Sequence, residues 1–362
     1  MVGMNNSYSQ SNWEPLTNIT GYISTEFNYF NELEDYRVNY GSSVSEAGLL
    51  MTYRPTSNFT IRGVFVYRPN FDFDQMLNEA FGQYSFSSAL NVKIGRYLLP
   101  VSPMNTYYYA PVNTSATLPI LITNNEFFPV NMDGVSMNGQ FGNNFRFRYD
   151  LFAGGYQNST WLKTGALGFF GDEVSHYKKL VGSMYTVDPS YNKTYNVGFG
   201  GSAGFSYKTY ADIGFSIFKP KKESFPVGVN LPENAAFPGS PEMYVVQDFT
   251  MDKMTYGINF RFQFNQTRLL GEFWFSDFDG DAEDAIDVDL EGSFFELSQS
   301  IEKVTPYIRY EYQITDDIEY KRYSAGINYK PSFERTFKLE YLLYEHDVKN
   351  ISGLVASFIY SF

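Results

Sequence analysis

The chain has 362 residues, a formal net charge of −13, no cysteine and 19% aromatic residues, yet its mean hydropathy is slightly polar. The acidic balance excludes a phosphate-binding footprint and with it a nucleic-acid partner, and the missing cysteine excludes disulfides and thiolate metal sites. No apolar run approaches the roughly eighteen residues of a membrane helix, so if lipid is the solvent, strands must cross it, with alternate residues greasy and polar.

The opening MVGMNNSYSQ lacks a basic, apolar export signal and reads as a mature start. Residues 1–17 are expected to form an N-terminal periplasmic segment ahead of a barrel at 18–362. From residue 18 onward the hydrophobic period is two. Residues 58–68 set Phe59, Ile61, Phe65 and Tyr67 against Thr60, Arg62, Val64 and Arg68. Residues 145–153 set Phe145, Phe147, Tyr149 and Leu151 against Arg146, Arg148 and Asp150. Tyr256, Ile258, Phe260, Phe262 and Phe264 repeat the pattern further on.

About sixteen strands are predicted, at 18–31, 42–54, 58–68, 78–87, 90–98, 132–141, 144–156, 194–208, 210–219, 249–264, 267–278, 288–300, 303–314, 318–330, 335–346 and 351–362. Most are long enough for a tilted strand to cross a bilayer, whereas ordinary strands average about 5 or 6 residues. Short turns at 55–58, 142–143, 265–266 and 331–334 alternate with longer segments at 69–77, 99–131, 157–193 and 220–248. Tight turns at one rim and large loops at the other describe an all-β, closed antiparallel transmembrane β-barrel. Closure follows from the solvent: in hydrocarbon every backbone N–H and C=O must pair inside the protein, so the last strand, GLVASFIYSF, must meet the first. Three places strain the parity. Arg96 calls for a bulge at Gly95 or an exit from the membrane, Glu296 for a bulge near Phe294 and Phe295, and Leu270 and Trp274 point inward among charges.

The segment NEAFGQYSFSSALNVKIGRYLLPVS, followed after a long loop by FFPVNMDGVSMNGQFG, resembles general and phosphate-type bacterial porins. In those, a strand ending in a Gly-Arg-x-x-x-Pro-like sequence leads into a loop folded into the channel. The likeness covers about residues 78–141, and the terminal Phe362 behind alternating aromatics looks like the sorting signal of outer-membrane barrels. It implies sixteen strands, an outer-membrane location with bilayer and lipopolysaccharide around it, a homotrimer, and passive diffusion of small hydrophilic solutes. Residues 99–131 become the constriction loop. They are apolar, aromatic and nearly uncharged, a composition that belongs against a wall rather than in water. They also contain no Lys or Arg, unlike the phosphate-specific members.

The inward parity gathers Arg54, Arg62, Arg68, Lys93, Arg146 and Arg148 on adjacent strands, with Arg96 if Gly95 bulges. Glu126 on the loop and Asp133 just after it would face them across the waist, creating a transverse field that screens solutes by charge. Tyr107, Tyr108 and Tyr109 would either offer a stacking surface to sugars or serve as packing. A second basic set, Arg261, Arg268, Arg309, Arg322 and Lys338, is interleaved with Glu272, Glu311 and Glu340, as paired wall charges would be. Asp277, Asp279, Asp281 and Glu283 crowd one outer loop and form a candidate calcium site, although the glycine spacing is not that of an EF-hand. Apart from that, no cofactor is expected. The two histidines, His176 and His346, join no catalytic constellation, so no enzyme is expected. The function expected is a diffusion channel. A substrate-specific uptake channel for sugars or small anions, and a non-conducting adhesin or scaffold, are the alternatives, and the sign of the ion preference stays open.

Overall fold

The structure is a computed structural model and describes residues 15–31, 40–68, 76–106, 109–123, 127–158, 185–187, 194–221, 223–231, 243–280, 288–315, 318–346 and 350–362. Its strands are β1 (Leu16–Phe30), β2 (Tyr40–Thr56), β3 (Phe59–Tyr67), β4 (Leu77–Ser87), β5 (Leu90–Leu98), β6 (Asn131–Gly142), β7 (Phe145–Asn158), β8 (Tyr185–Val187) and β9 (Thr194–Tyr207). They continue with β10 (Ala211–Pro220), β11 (Glu223–Leu231), β12 (Met243–Phe264), β13 (Thr267–Gly280), β14 (Val288–Gln299), β15 (Val304–Thr315), β16 (Ile318–Tyr329), β17 (Arg335–His346) and β18 (Ile351–Ser361). These segments form sixteen staves. β10 and β11 pair with successive halves of β12, and the three-residue β8 pairs with β11 as β9 pairs with β10.

All ladders are antiparallel, and the cylinder closes where β1 pairs with β18 from Tyr22↔Ser361 to Phe30↔Gly353. Reciprocal backbone bonds between Gly21 and Phe362, at 2.8 and 2.9 Å, carry that seam to the last residue. No sheet edge is left at the seam, which a hydrocarbon surround requires. The outer surface is a belt of exposed apolar side chains, among them Ile23, Phe27, Met51, Ile94, Phe215, Ile258, Ile308 and Tyr341. At the turn rim a girdle of Phe86, Phe145, Phe205, Phe264, Phe333 and Phe362 is exposed by 61% or more. Water does not tolerate so continuous a patch; lipid does. The alternation of connection lengths fails twice: only 316–317 and 347–350 separate the strands after β15 and β17.

Neither expected bulge exists. Gly95 has φ 123°, yet β5 runs in unbroken register with β6, so Arg96 shares the outward parity of the exposed Ile94. β14 likewise pairs without a shift, and Glu296 shares the inward parity of Leu290, Phe294 and Ser298. The inner wall is therefore partly greasy, for a reason the loop supplies. Residues 99–106, 109–123 and 127–130 fold into the barrel, and their Leu99, Val101, Met104, Leu121, Ile122, Phe127, Phe128 and Val130 form a buried core with Tyr22, Val64, Val66, Trp274, Leu290, Phe294 and Ile359 of the wall. A second cluster joins Ile120 of the loop to Phe30, Leu342, Tyr344 and Val355. The hydrophobic core of this molecule lies between loop and wall.

Candidate functional site

The loop keeps its shape through its neck. Leu99 N–H donates to Val130 O at 2.9 Å, and the fully buried Asn105 places its amide on both Leu99 O (2.9 Å) and Val130 O (2.8 Å). Ser102 caps the helical turn Pro103–Thr106 by accepting from Asn105 N–H at 3.1 Å, with Pro103 in the first helical position, where its missing N–H costs nothing.

A segment folded inward with almost no charge still has backbone N–H groups, and burying one unpaired costs about 1–3 kcal/mol. The wall provides the acceptors. Ala110 N–H donates to Glu46 at 3.0 Å, Met104 N–H to Glu272 at 3.0 Å, Ile120 N–H to Glu311 at 2.6 Å, and Ala116 and Thr117 N–H to Glu340 at 2.9 and 3.2 Å. Loop carbonyls are met by wall cations. Lys338 Nζ donates to Ala110 O at 2.8 Å and Ser115 O at 2.9 Å, Arg322 to Leu118 O at 2.6 Å, and Arg309 to Thr117 O at 2.9 Å. Arg309 Nε also holds Glu311 at 2.7 Å, and its Nη atoms stand 3.5 Å from Glu340 and 3.7 Å from Glu296. Glu296, Arg309, Glu311, Arg322 and Glu340 on β14–β17 thus form one buried network, and the absence of Lys and Arg from the loop is its counterpart.

The positions read from sequence separate into distinct environments. Arg62 and Arg68 pair with Glu79 (3.2 Å) and Glu46 (2.6 Å) on the wall beside the loop. Lys93 lies over the rings of Phe81 and Tyr97 at 4.9 and 5.3 Å. Arg54 is exposed at the turn-rim end of β2, and Arg146, half-buried at the turn-rim end of β7, donates to Lys208 O at 3.2 Å. Arg148 forms an ion pair with Asp212. Two expectations are corrected. Arg96 and Asp133 lie opposite each other on the outer face, Arg96 Nε and Nη2 holding the two Asp133 oxygens at 2.6 Å, so neither lines the pore. The unbroken register of β5 decides this. Tyr109 offers no stacking surface: its ring is buried in the core and its hydroxyl donates to Glu79 at 2.7 Å. Burial first, and the Glu79 charge second, hold that hydroxyl protonated well above its usual range. Tyr107, Tyr108 and Glu126 lie outside the described residues. So do Asp281, Glu283 and the side chain of Asp279, while Asp277 is exposed near the outer end of β13.

Between the loop root and the opposite wall lies a cavity of 560 Å³. It is bounded by Pro100–Met104 and Thr106 on one side, and on the other by β6, β7, β9, β10, β12 and β13, with Arg148, Asp150, Asp212, Asn259, Arg261, Arg268 and Glu272 among its lining. Sequence reading grouped Arg148 with the early basic residues and set Arg261 and Arg268 apart. Neighbour pairing through β9 and β10 brings the two groups to one wall.

No protein-family model and no curated protein matches the chain. Solved structures do. The chain is similar to OmpTΔL8, a loop-deletion mutant of an outer-membrane protein of Vibrio cholerae, with TM-score 0.64, 11% identity and coverage of 96% of this chain and 99% of the other. It matches an anion-selective porin from Comamonas acidovorans with the same TM-score of 0.64 and 11% identity, covering 96% and 100%. The outer-membrane channel DcaP of Acinetobacter baumannii follows with TM-score 0.57 and 11% identity over 96% and 97%. At such identities the likeness speaks of architecture, and the architecture is whole: the chain has the closed sixteen-stranded antiparallel barrel fold of the bacterial outer-membrane porins.

Proposed function

We propose that this protein is an outer-membrane channel for passive diffusion of small hydrophilic solutes. The observation that carries the reading is the placement of the loop: one long segment free of Lys and Arg is held against β13–β17, leaving a charge-lined cavity on the side of β6–β13. A barrel serving as a scaffold has no need of an apolar insert held by a buried charge network beside a wet space. The apolar belt and Phe girdle support insertion in a bilayer. A porin-fold neighbour whose structure is described as a trimer supports assembly as a homotrimer.

The test is reconstitution of the folded protein into a planar bilayer in potassium chloride. Discrete conductance steps are expected, with a reversal potential under a salt gradient that reports the ion preference. A folded protein that inserts without conducting would overturn the reading in favour of the scaffold.

A further inference from the structure

The cavity wall is built more specifically than a general pore requires. The ladders align Arg148, Gly204, Gly214, Asn259 and Glu272 on one rung, and Ser206, Asp212, Arg261 and Leu270 on the next toward the turn rim. The two glycines are inward positions kept bare. A Cβ on Gly204 would meet Arg148 Nε and Nη2 at 3.0 Å, and one on Gly214 would meet Asn259 Oδ1 at 2.8 Å. The guanidinium lies flat across the β9 backbone and the amide across β10, an arrangement any side chain at either position would push away.

The charges on this wall are recessed by sign. Asp212 is held by both Nη atoms of Arg148, accepts from Ser206 Oγ at 2.8 Å, and stands 3.8 Å from Arg261. Its side chain is 9% exposed, whereas those of Arg148, Arg261 and Arg268 are 42%, 41% and 31% exposed. Glu272 is buried, taken up by Ser102 Oγ, Met104 N–H and Trp274 Nε1. A solute in the cavity therefore meets the guanidinium edges of Arg148, Arg261 and Arg268 ahead of Asp212 and Glu272, while Asp150, half-buried and accepting from Ser136 Oγ at 2.7 Å, is the carboxylate left on the lining. Among the described residues, two buried polar atoms of this wall have no hydrogen-bond partner: Arg268 Nε, a donor, and Oδ1 of Asn259, an acceptor on a residue 4% exposed. The remaining lining is rich in amides and hydroxyls: Asn91, Asn138, Gln140, Ser88 and Ser202.

We propose that this wall is a transit site for hydroxylated carboxylates, sugar acids being the type. The fork geometry of guanidinium matches a carboxylate, the acceptor on Asn259, which lies over bare Gly214, takes a hydroxyl proton once the amide turns toward the solute, and the amide-rich lining takes the others. The cavity lies within the range of sites that enclose small ligands. The inference deepens the channel reading and rests on it.

The test uses the full-length protein with three probes: gluconate, glucose, which keeps the hydroxyls without the charge, and hexanoate, which keeps the charge without the hydroxyls. Each is added to a chloride-conducting channel, and the concentration that half-blocks the current is compared with binding heat in detergent. Gluconate is expected to block at about a tenfold lower concentration than either of the others, the factor that one charge-assisted contact supplies. Arg148→Gln with Arg261→Gln should bring gluconate to the level of glucose, and Asn259→Ala should bring it to the level of hexanoate. Asp212→Asn, which unmasks two guanidiniums, should tighten the block, a direction that loss of structure does not give. If the double variant does not fold, Arg261→Gln alone carries the test. Conductance with no preference for gluconate over glucose overturns the site and leaves the channel standing. Equal block by hexanoate overturns the hydroxyl-reading role, and gluconate heat in a non-conducting barrel would keep the site while the channel reading falls.

Discussion

Two stretches of the same inner wall use the same residues to opposite ends. On β13–β17 Arg309 is fully buried, engaged with Glu296, Glu311, Glu340 and three groups of the loop. On β7–β12 Arg148, paired with a single carboxylate, keeps 42% of its side chain exposed. Nothing in residue type separates them. The loop covers one and not the other, and coverage changes the local dielectric, converting wall charges from a field felt by solutes into a fastening felt only by the protein. One barrel thereby obtains a rigid side and a responsive side.

The contrast breaks first at Arg309. Arg309→Met leaves Glu296, Glu311 and Glu340 crowded without their shared cation, and removing one partner of such a network costs about 3–5 kcal/mol. The loss should appear as a lower unfolding midpoint in the heat-induced gel-mobility shift and as a larger, noisier conductance once the loop is less firmly held. Unchanged stability would mean that the covered network holds nothing. Asn105→Ala comes next. It takes the side-chain donors from two carbonyls at the buried loop neck, a loss of about 2–3 kcal/mol if water does not replace them. The same two assays read it. Arg148→Gln should do the reverse, changing stability by about 1 kcal/mol or less, since a half-exposed pair is weak, while moving the reversal potential toward cations.

Much of this molecule is legible in its sequence, and the illegible part has one cause. The staves follow from period-two alternation and from turns such as 265–266, because lipid outside and water inside impose opposite demands on adjacent residues. The apolar composition of 99–131 foretells its inward fold. Parity reasoning, however, assumes an interior that is wet throughout. Leu270, Trp274, Phe294 and Glu296 violate that assumption because the loop lies over them, Phe128 packing its ring 4.6 Å from that of Trp274. The partners of buried charges are equally silent: Thr117 and Glu340 meet across 223 positions of chain. Arg96 and Asp133 mislead for another reason. Their charges read as luminal, yet each neutralises the other across adjacent strands on the outer face.

The smallest effect separates charge from position. Arg146 shares the uncovered wall with Arg148 but sits at the turn rim, half-buried, donating to Lys208 O at 3.2 Å. If the responsive side were simply a basic wall, Arg146→Gln would shift the reversal potential as Arg148→Gln does. If the rung that carries Asn259 and the bare glycines is what matters, Arg146 acts only through a screened field. At 0.1 M salt the screening length is about 10 Å and at 1 M about 3 Å. The Arg146→Gln shift should therefore be small in dilute salt and vanish in concentrated salt, with stability within about 0.5 kcal/mol of the parent. Arg148→Gln, acting on a solute in contact, should keep its effect at both concentrations. Equal behaviour of the two variants in 1 M salt would reduce the uncovered wall to a diffuse potential.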